Sequence, residues 1–227
     1  MMAVVVEICV QGIESALAAQ EGGADRIELC EDLAVGGVTP GAGTIAVACR
    51  RLTIPVHVLI RPRGGDFTYT EAEFEVMRHD IQVARSLGPA GVVLGLLDPA
   101  RAIDRERTAR LIEAARPLSI TFHKAFDLAA DSIEAVGDLI GLGVERVLTS
   151  GGMARAVDGL DRLVALDRRA AGRVVIMAGG RITEADIPTL TAAGLREIHV
   201  GSAAGAEGRI DAERVGRIVT AAGGRRR

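Results

Sequence analysis

Aromatic residues are scarce in this sequence of 227 residues, which contains no tryptophan, one tyrosine and four phenylalanines. Hydrophobic residues nevertheless make up 48% of the chain, and most of them are Ala, Val, Leu and Ile. The core must therefore be aliphatic and closely packed. A chain of this length can bury one sizeable core and is short for two, so we expect a single domain over residues 1–227.

Excess positive charge and long hydrophobic segments are also lacking. The formal net charge is −3, and no basic stripe is interleaved with aromatic residues, so we expect no nucleic-acid partner. The apolar residues 1–6 reach Glu7 too soon to form a signal peptide or a membrane span. Three cysteines, an odd number, favour reduced thiols over a disulfide framework. We therefore expect a cytoplasmic protein without a membrane partner.

Short β-rich runs alternate with helical stretches along the whole chain. Eight runs read as strands: 4–9, 26–30, 55–60, 91–96, 118–123, 146–149, 173–177 and 197–200. Several are almost continuously apolar, as expected for parallel strands that are covered on both faces. The pattern predicts an α/β fold, a single-domain (β/α)8 TIM-like barrel. An open doubly wound sheet is the alternative, which the number of strands disfavours.

One glycine-rich segment interrupts this alternation. Residues 33–44 contain four glycines and Pro40 and show no clear periodicity. We expect them to form a loop at the mouth of the barrel, followed by a helix over about residues 45–51. A last helix is expected near residues 211–221.

Carboxylates and thiols occupy the carboxyl ends of the first two strands, where functional groups of such barrels converge. Because side chains alternate along a strand, Glu7 shares a face with Cys9, and Glu28 shares one with Cys30. If these faces point inward, two acids and two thiols approach one another. The alternative is that the cysteines are small buried hydrophobes and that an arginine such as Arg61 neutralises the acids.

Acid–base and anion-binding groups follow the third and fifth strands. Arg61 and Arg63 lie beside a glycine turn and can bind an anion in a bidentate way, or one of them can pair with an Asp or Glu that links the loop to the barrel. We expect Arg61 to face the ligand. His123 and Asp127 join Glu7 and Glu28 as candidate acid–base groups. The alternative for His123 is a core histidine that a neighbouring carboxylate satisfies. Lys124, the only lysine, is placed by strand alternation on the face opposite His123, which argues against a Schiff base.

Glycines after the seventh and eighth strands lie where TIM barrels often bind a phosphate. The alternative is that they are ordinary turn residues. The residues expected to contact an anion here or at the end of the sixth strand are Ser150, Gly179, Gly180, Arg181, Gly201 and Ser202.

Several of these motifs together resemble the CutC copper-homeostasis family. They are Glu28-Leu29-Cys30, Arg61-Pro62-Arg63-Gly64-Gly65-Asp66-Phe67, Phe122-His123-Lys124-Ala125-Phe126-Asp127, Leu148-Thr149-Ser150-Gly151 and Met177-Ala178-Gly179-Gly180. The motifs run in the family's order over almost the whole chain. The resemblance implies a cytosolic TIM-like barrel that forms dimers, tetramers or other homo-oligomers, and Cu(I) binding at thiols that match Cys9 and Cys30, consistent with the preference of Cu(I) for soft thiolates.

This sequence departs from the family pattern at three places. The family most often has arginine where Lys124 stands, which weakens a Schiff-base role further. A third glycine common after the seventh strand is Arg181 here, and the segment between Ser202 and the last helix is short. Two functional hypotheses follow. One is a copper-homeostasis protein with Cu(I) on Cys9 and Cys30, and the other is an enzyme that acts on a small anionic metabolite, possibly a phosphorylated one, by acid–base chemistry.

Overall fold

A computed structural model describes residues 4–206 and 209–224 of the chain. Within these ranges, eight parallel strands close into a barrel in chain order, because each strand pairs with the next and the first pairs with the eighth. The strands are β1 Val5–Gln11, β2 Arg26–Cys30, β3 Val56–Leu59, β4 Gly91–Leu94, β5 Ser119–Phe122, β6 Arg146–Thr149, β7 Val175–Gly179 and β8 Glu197–Val200. The predicted (β/α)8 barrel is confirmed, whereas a single domain over residues 1–227 stays a prediction.

Helices follow the strands and cover the outside of the barrel. They are α1 Gly12–Glu21, α2 Ala42–Arg51, α3 Glu71–Leu87, α4 Arg105–Ala115, α5 Ser132–Gly141, α6 Leu160–Ala170, α7 Ile187–Ala192 and α8 Ala212–Ala221. A two-stranded hairpin of β9 Gly205–Ala206 and β10 Arg209–Ile210 precedes α8. Among the described residues, no helix is long and apolar enough to cross a membrane.

The helix α3 shows how local sequence fixes these elements. Thr70 accepts a hydrogen bond from the backbone of Glu73, and the Glu73 carboxylate accepts one from the backbone of Thr70, which satisfies two orphan donors at the start of the helix. Its buried residues recur at helical spacing and face the barrel: Phe74, Met77, Ile81 and Ala84. The helix ends at Gly88, whose left-handed φ of 82° suits glycine.

The segment 33–44 is less irregular than the sequence predicted. Leu33–Val35 forms a turn of 3-10 helix, Glu31 bridges to Val38, and α2 begins at Ala42 rather than near residue 45. The first buried residue of α2 is Ile45, and Ala42 and Gly43 before it are exposed. These first residues therefore carry no apolar signal from which the start of the helix could be recognised.

Two different surfaces of the strands are buried. The outward faces pack on the helices through aliphatic and phenylalanine side chains, in an apolar layer that includes Ile8, Ile27 and Phe122. The inward faces are largely polar at the first two strands, where the register pairs Glu7 with Arg26 and Cys9 with Glu28. The barrel therefore has an apolar shell around a polar interior, and this interior opens at the carboxyl ends of the strands.

Replacement of Phe122 by alanine tests the apolar shell. Phe122 is fully buried, so Phe122→Ala should lower the free energy of unfolding by about 3–5 kcal/mol through lost burial and the cavity left behind. Val83, which is 45% exposed on α3, provides the control, because Val83→Ala should change it by no more than about 0.5 kcal/mol. Urea denaturation measures both, and equal effects would contradict the proposed layer.

Candidate functional site

A buried ion network lies inside the barrel beneath its mouth. The guanidinium of Arg26 contacts the carboxylates of Glu7 and Glu197, with 2.6 Å between its Nη2 and Glu197 Oε2. Arg146 Nε lies 2.9 Å from the same Glu197 oxygen. Burial alone would raise the pKa of Glu7, but the nearby Arg26 charge and a bond to His199 hold it well below its usual range. Glu7 is therefore a buried carboxylate at neutral pH.

His199 connects this network to the mouth. Its Nδ1 lies 2.7 Å from Glu7 Oε1, and its Nε2 lies 3.6 Å from Glu28 Oε2. Burial would lower the pKa of His199, but the hydrogen bond with Glu7 and the charges of Glu28 and Glu7 raise it overall. Burial raises the pKa of Glu28, although the nearby His199 opposes this effect. The imidazole thus has its orientation fixed from the buried side and presents Nε2 to Glu28.

The two predicted thiols meet above these groups. Cys9 Sγ and Cys30 Sγ lie 3.6 Å apart, and Cys30 donates to the carbonyl oxygen of Val10 at 3.3 Å. Both thiols are free and buried. Hydrogen bonding with Cys30, burial and the neighbouring Glu28 raise the pKa of Cys9 well above its usual value. Without a metal, the Cys9 thiol therefore keeps its proton at neutral pH.

A cavity of about 130 Å³ opens at this mouth. Its polar and sulfur-containing lining residues are Cys9, Glu28, Cys30, Arg61, His123, Lys124 and His199. Glu7 is only 1% exposed and lies beneath the cavity, where it contacts His199. The structure therefore brings the predicted Glu28, Arg61 and His123 to the cavity and leaves Glu7 as their buried support.

His123 is held as a neutral donor. Its Nδ1 accepts a hydrogen bond from the backbone of Ala125 at 3.1 Å, so Nε2 carries the proton in the neutral ring. That buried Nε2 has no hydrogen-bond partner among the described residues. Burial and the Arg61 charge lower the pKa of His123 to about 3. A Cβ on Gly95 would lie 2.5 Å from the ring, so only glycine leaves room for the imidazole there.

The two arginines after β3 hold their loop together. Arg61 is buried and donates to the carbonyl oxygens of Gly37 and Gly65 at 2.9 and 2.8 Å. Its guanidinium carbon lies 4.8 Å from the centroid of the Phe67 ring. Arg63 pairs with Glu73 and Asp66, as the alternative reading of the sequence allowed for one arginine. Anion binding by Arg61 and Arg63 stays a prediction.

Asp127 anchors the loop after β6. Its carboxylate accepts hydrogen bonds from the Thr149 hydroxyl, from Ser150 through both nitrogen and hydroxyl, and from the nitrogen of Gly152. Asp127 and Ser150 therefore both take part in the hydrogen bonds that hold this loop in place. A wider cleft of about 530 Å³ between the loops after β5 and β6 is lined by Asp127 and Thr149 but by neither thiol of the mouth.

The expectation that Lys124 lies on the face opposite His123 is wrong. The strand β5 ends at Phe122, and a 3-10 helix over Lys124–Leu128 follows at once, so alternation no longer applies. Lys124 therefore lines the same cavity as His123, and its Nζ lies 3.5 Å from Asp127 Oδ2.

The glycines after β7 and β8 are closely packed. A Cβ on Gly179 would lie 2.4 Å from Leu148 Cδ1, and one on Gly180 would lie 2.8 Å from the Cβ of Ser150. Gly201 lies near Cys9, at 3.9 Å from such an added Cβ. Close packing thus accounts for glycine at positions 179 and 180 without a bound ligand. Anion binding at these loops stays a prediction.

Arg181 is exposed, with a left-handed φ of 47°. Two acids that lie close to it in the sequence pair with other arginines, because Glu184 pairs with Arg217 and Asp186 pairs with Arg155. The side chain of Ser202 lies outside the described residues.

Sequence reasoning missed the charged groups at the starts of the strands. Arg26, Arg146 and Glu197 each open a strand at the end away from the mouth. His199, nearer the carboxyl end of β8, was also given no role from the sequence. Arg26 has the same parity as Glu28 and Cys30, which is a usable signal for an inward-facing side chain.

Comparison with known proteins agrees with these motifs. The model of the CutC family matches residues 4–205. A CutC protein of Xanthomonas campestris is 48% identical over 198 residues, which cover 87% of this chain and 82% of that protein. The human copper homeostasis protein cutC homolog is 46% identical over 195 residues, which cover 86% of this chain and 71% of the human protein.

A solved structure shows the same relationship. The crystal structure of a CutC protein from Streptococcus agalactiae superposes with a TM-score of 0.84 at 33% identity. The superposition covers 88% of this chain and 98% of the streptococcal chain. Sequence and fold therefore agree over most of the chain.

The buried histidines predict a pH dependence of stability. Burial lowers the pKa of His57 to about 4 and that of His123 to about 3, so between pH 6 and pH 4.5 only the unfolded chain protonates them. The free energy of unfolding therefore decreases as the pH is lowered, by about 1.4 kcal/mol per pH unit for each of the two histidines. His123→Asn keeps an acceptor for Ala125 and should remove one such slope relative to the original protein.

His79→Asn is the matched control, because the His79 side chain is 70% exposed. Because it keeps His123, it should keep the slope that His123 contributes, as measured by urea denaturation from pH 7 to pH 4.5. If His123→Asn and His79→Asn gave the same slope, the neutral buried state of His123 would be wrong.

Proposed function

Because this chain belongs to the CutC family, we propose that it serves copper homeostasis by binding Cu(I) between Cys9 and Cys30. The observation that carries the proposal is the distance of 3.6 Å between the two sulfur atoms. With metal–thiolate bonds of about 2.3 Å, an ion bound to both sulfurs would have a sulfur–metal–sulfur angle of about 100°. The thiol pair therefore fits a shared metal ion without movement of the strands.

The chemistry of the donors favours copper in its reduced state. Thiolates are soft ligands that select Cu(I) over hard cations. Cys30 is 1% exposed and Cys9 is 8% exposed, so a bound ion is shielded from bulk solvent. Because the pKa of Cys9 is raised, the thiol must lose a proton when the ion binds.

Location and assembly belong to the same proposal. A cytoplasmic location agrees with three free thiols, because reducing compartments keep cysteines unpaired. Assembly into a homo-oligomer, a dimer or a tetramer, rests on the resemblance to the family. In this proposal copper is the ion that the protein carries and is not a structural metal.

Titration with Cu(I) tests the proposal. Reduced, metal-free protein should take about one Cu(I) per chain from a chromophoric Cu(I) chelator under anaerobic conditions, and Cys9→Ser with Cys30→Ser should abolish this transfer. Cys49→Ser is the control, because Cys49 lies on α2 outside the cavity and its replacement should leave the transfer intact. A double variant that competes as well as the original protein would exclude this site.

A second candidate function is an enzyme acting on a small anionic metabolite. The observation that favours it is a pair of buried nitrogens beside the cavity, His123 Nε2 and Arg61 Nε, neither of which has a hydrogen-bond partner within the described ranges. A substrate oxygen would reach these nitrogens only if the side chains that cover them move, and it would then accept hydrogen bonds from them. Glu28, with its raised pKa, is then the proton donor, and the glycines near Arg181 would hold a phosphate.

A screen by thermal unfolding tests this second candidate. A phosphorylated or carboxylated metabolite at 100 times its dissociation constant stabilises the protein by about 2.7 kcal/mol, which raises the melting temperature. The increase should be lost in His123→Asn and kept in His79→Asn. Arg181→Ala should weaken binding of a phosphorylated ligand by about 1–3 kcal/mol. If no anion raises the melting temperature, the enzyme reading loses its support.

A further inference from the structure

Three different donor types converge beside the thiol pair. Cys9, Glu28 and His199 each offer one ligand atom, and the three atoms lie within 4.8 Å of one another. Glu28 and His199 already approach to 3.6 Å. Among the described residues, Cys30 does not belong to this trio, although its sulfur contacts Cys9.

The orientation of His199 is the one that a metal ligand needs. Its Nδ1 is held by Glu7 at 2.7 Å, which leaves Nε2 directed at Glu28. Glu7 is in turn held by Arg26, and Glu7 and Arg26 are both buried. A carboxylate on the far nitrogen of a histidine is the usual partner that fixes the tautomer and the ring of a metal-bound imidazole.

We infer that Cys9, Glu28 and His199 form a second metal site, for Zn²⁺, which shares Cys9 with the copper site. Zn²⁺ accepts sulfur, imidazole nitrogen and carboxylate oxygen alike, whereas Mg²⁺ and Ca²⁺ take oxygen donors. A thiolate and a carboxylate also balance the double charge of the ion. The set of three donors therefore matches zinc better than any hard cation.

The distances require only a small adjustment. Zinc bonds of about 2.0–2.3 Å place neighbouring ligand atoms roughly 3.3–3.8 Å apart. The separation of 3.6 Å between His199 and Glu28 meets this range. The Cys9 sulfur, within 4.8 Å of the other two atoms, needs to move by at most about 1 Å, which a side-chain rotation provides.

The fourth position of such an ion faces the cavity. Three protein ligands leave a tetrahedral zinc ion one position for water or another small ligand. All three ligands line the cavity of about 130 Å³, which His123 also lines. His123 Nε2 is buried, and no described residue accepts its proton.

The shared cysteine makes the two ions compete. Cys9 is needed both for the thiol pair and for the mixed trio, so a chain that holds Zn²⁺ has only Cys30 left for Cu(I). The zinc site does not depend on the copper proposal, because two of its three ligands are not used by copper. Single substitutions therefore separate the two sites.

The experiment measures Zn²⁺ and Cu(I) affinities of the full chain by competition with chromophoric chelators of each ion. His199→Gln and Glu28→Gln should each weaken Zn²⁺ binding at least tenfold and leave Cu(I) binding within twofold. Cys30→Ser should do the reverse, and Cys9→Ser should weaken both. Retained Cu(I) binding in His199→Gln also shows that the barrel is intact in that variant.

Cobalt substitution gives a second readout. Co²⁺ in the zinc site should show the absorption of a thiolate-to-cobalt charge transfer, which Cys9→Ser should abolish and Cys30→Ser should preserve. Unchanged Zn²⁺ affinity in both His199→Gln and Glu28→Gln would overturn the zinc site, and so would simultaneous binding of one Zn²⁺ and one Cu(I) per chain. Unchanged Cu(I) affinity in Cys30→Ser would instead overturn the copper proposal and leave the zinc site standing.

Discussion

The contact of Arg26 with Glu7 and Glu197 is the interaction on which the barrel interior depends. A buried carboxylate without a partner costs several kcal/mol, and this guanidinium satisfies two of them at once. The three residues come from β2, β1 and β8, so the same contact spans the position where the barrel closes. The polar interior is therefore tolerated only because its charges are paired.

The orientation of His199 at the mouth is built on that contact. Glu7, once it is ionised and fixed, can hold the Nδ1 side of His199, and His199 then directs Nε2 toward Glu28 and Cys9. The thiol pair lies one step further along the same strands, where the interior opens to solvent. An ionic base thus lies beneath the thiol pair, and the residues that position His199 are distinct from the residues proposed to bind metal.

Much of this arrangement follows from simple periodicity. Alternation along β1 and β2 placed Glu7, Cys9, Glu28 and Cys30 on one interior face, because each side chain repeats every second residue. Alternation failed at Lys124, where a 3-10 helix replaces the strand. The partners of Arg26 could not be predicted, since the ion pair with Glu197 joins residues that are far apart in sequence and meet only when the barrel closes.

The space around His123 links two positions of the chain. The imidazole occupies the volume that a Cβ on Gly95 would need. Any larger residue at position 95 must therefore displace the ring, and a smaller residue at position 123 would leave a void against the glycine. The volumes of the two side chains are therefore linked, and a larger residue at position 95 fits only if the side chain at position 123 gives up the space that the imidazole now fills.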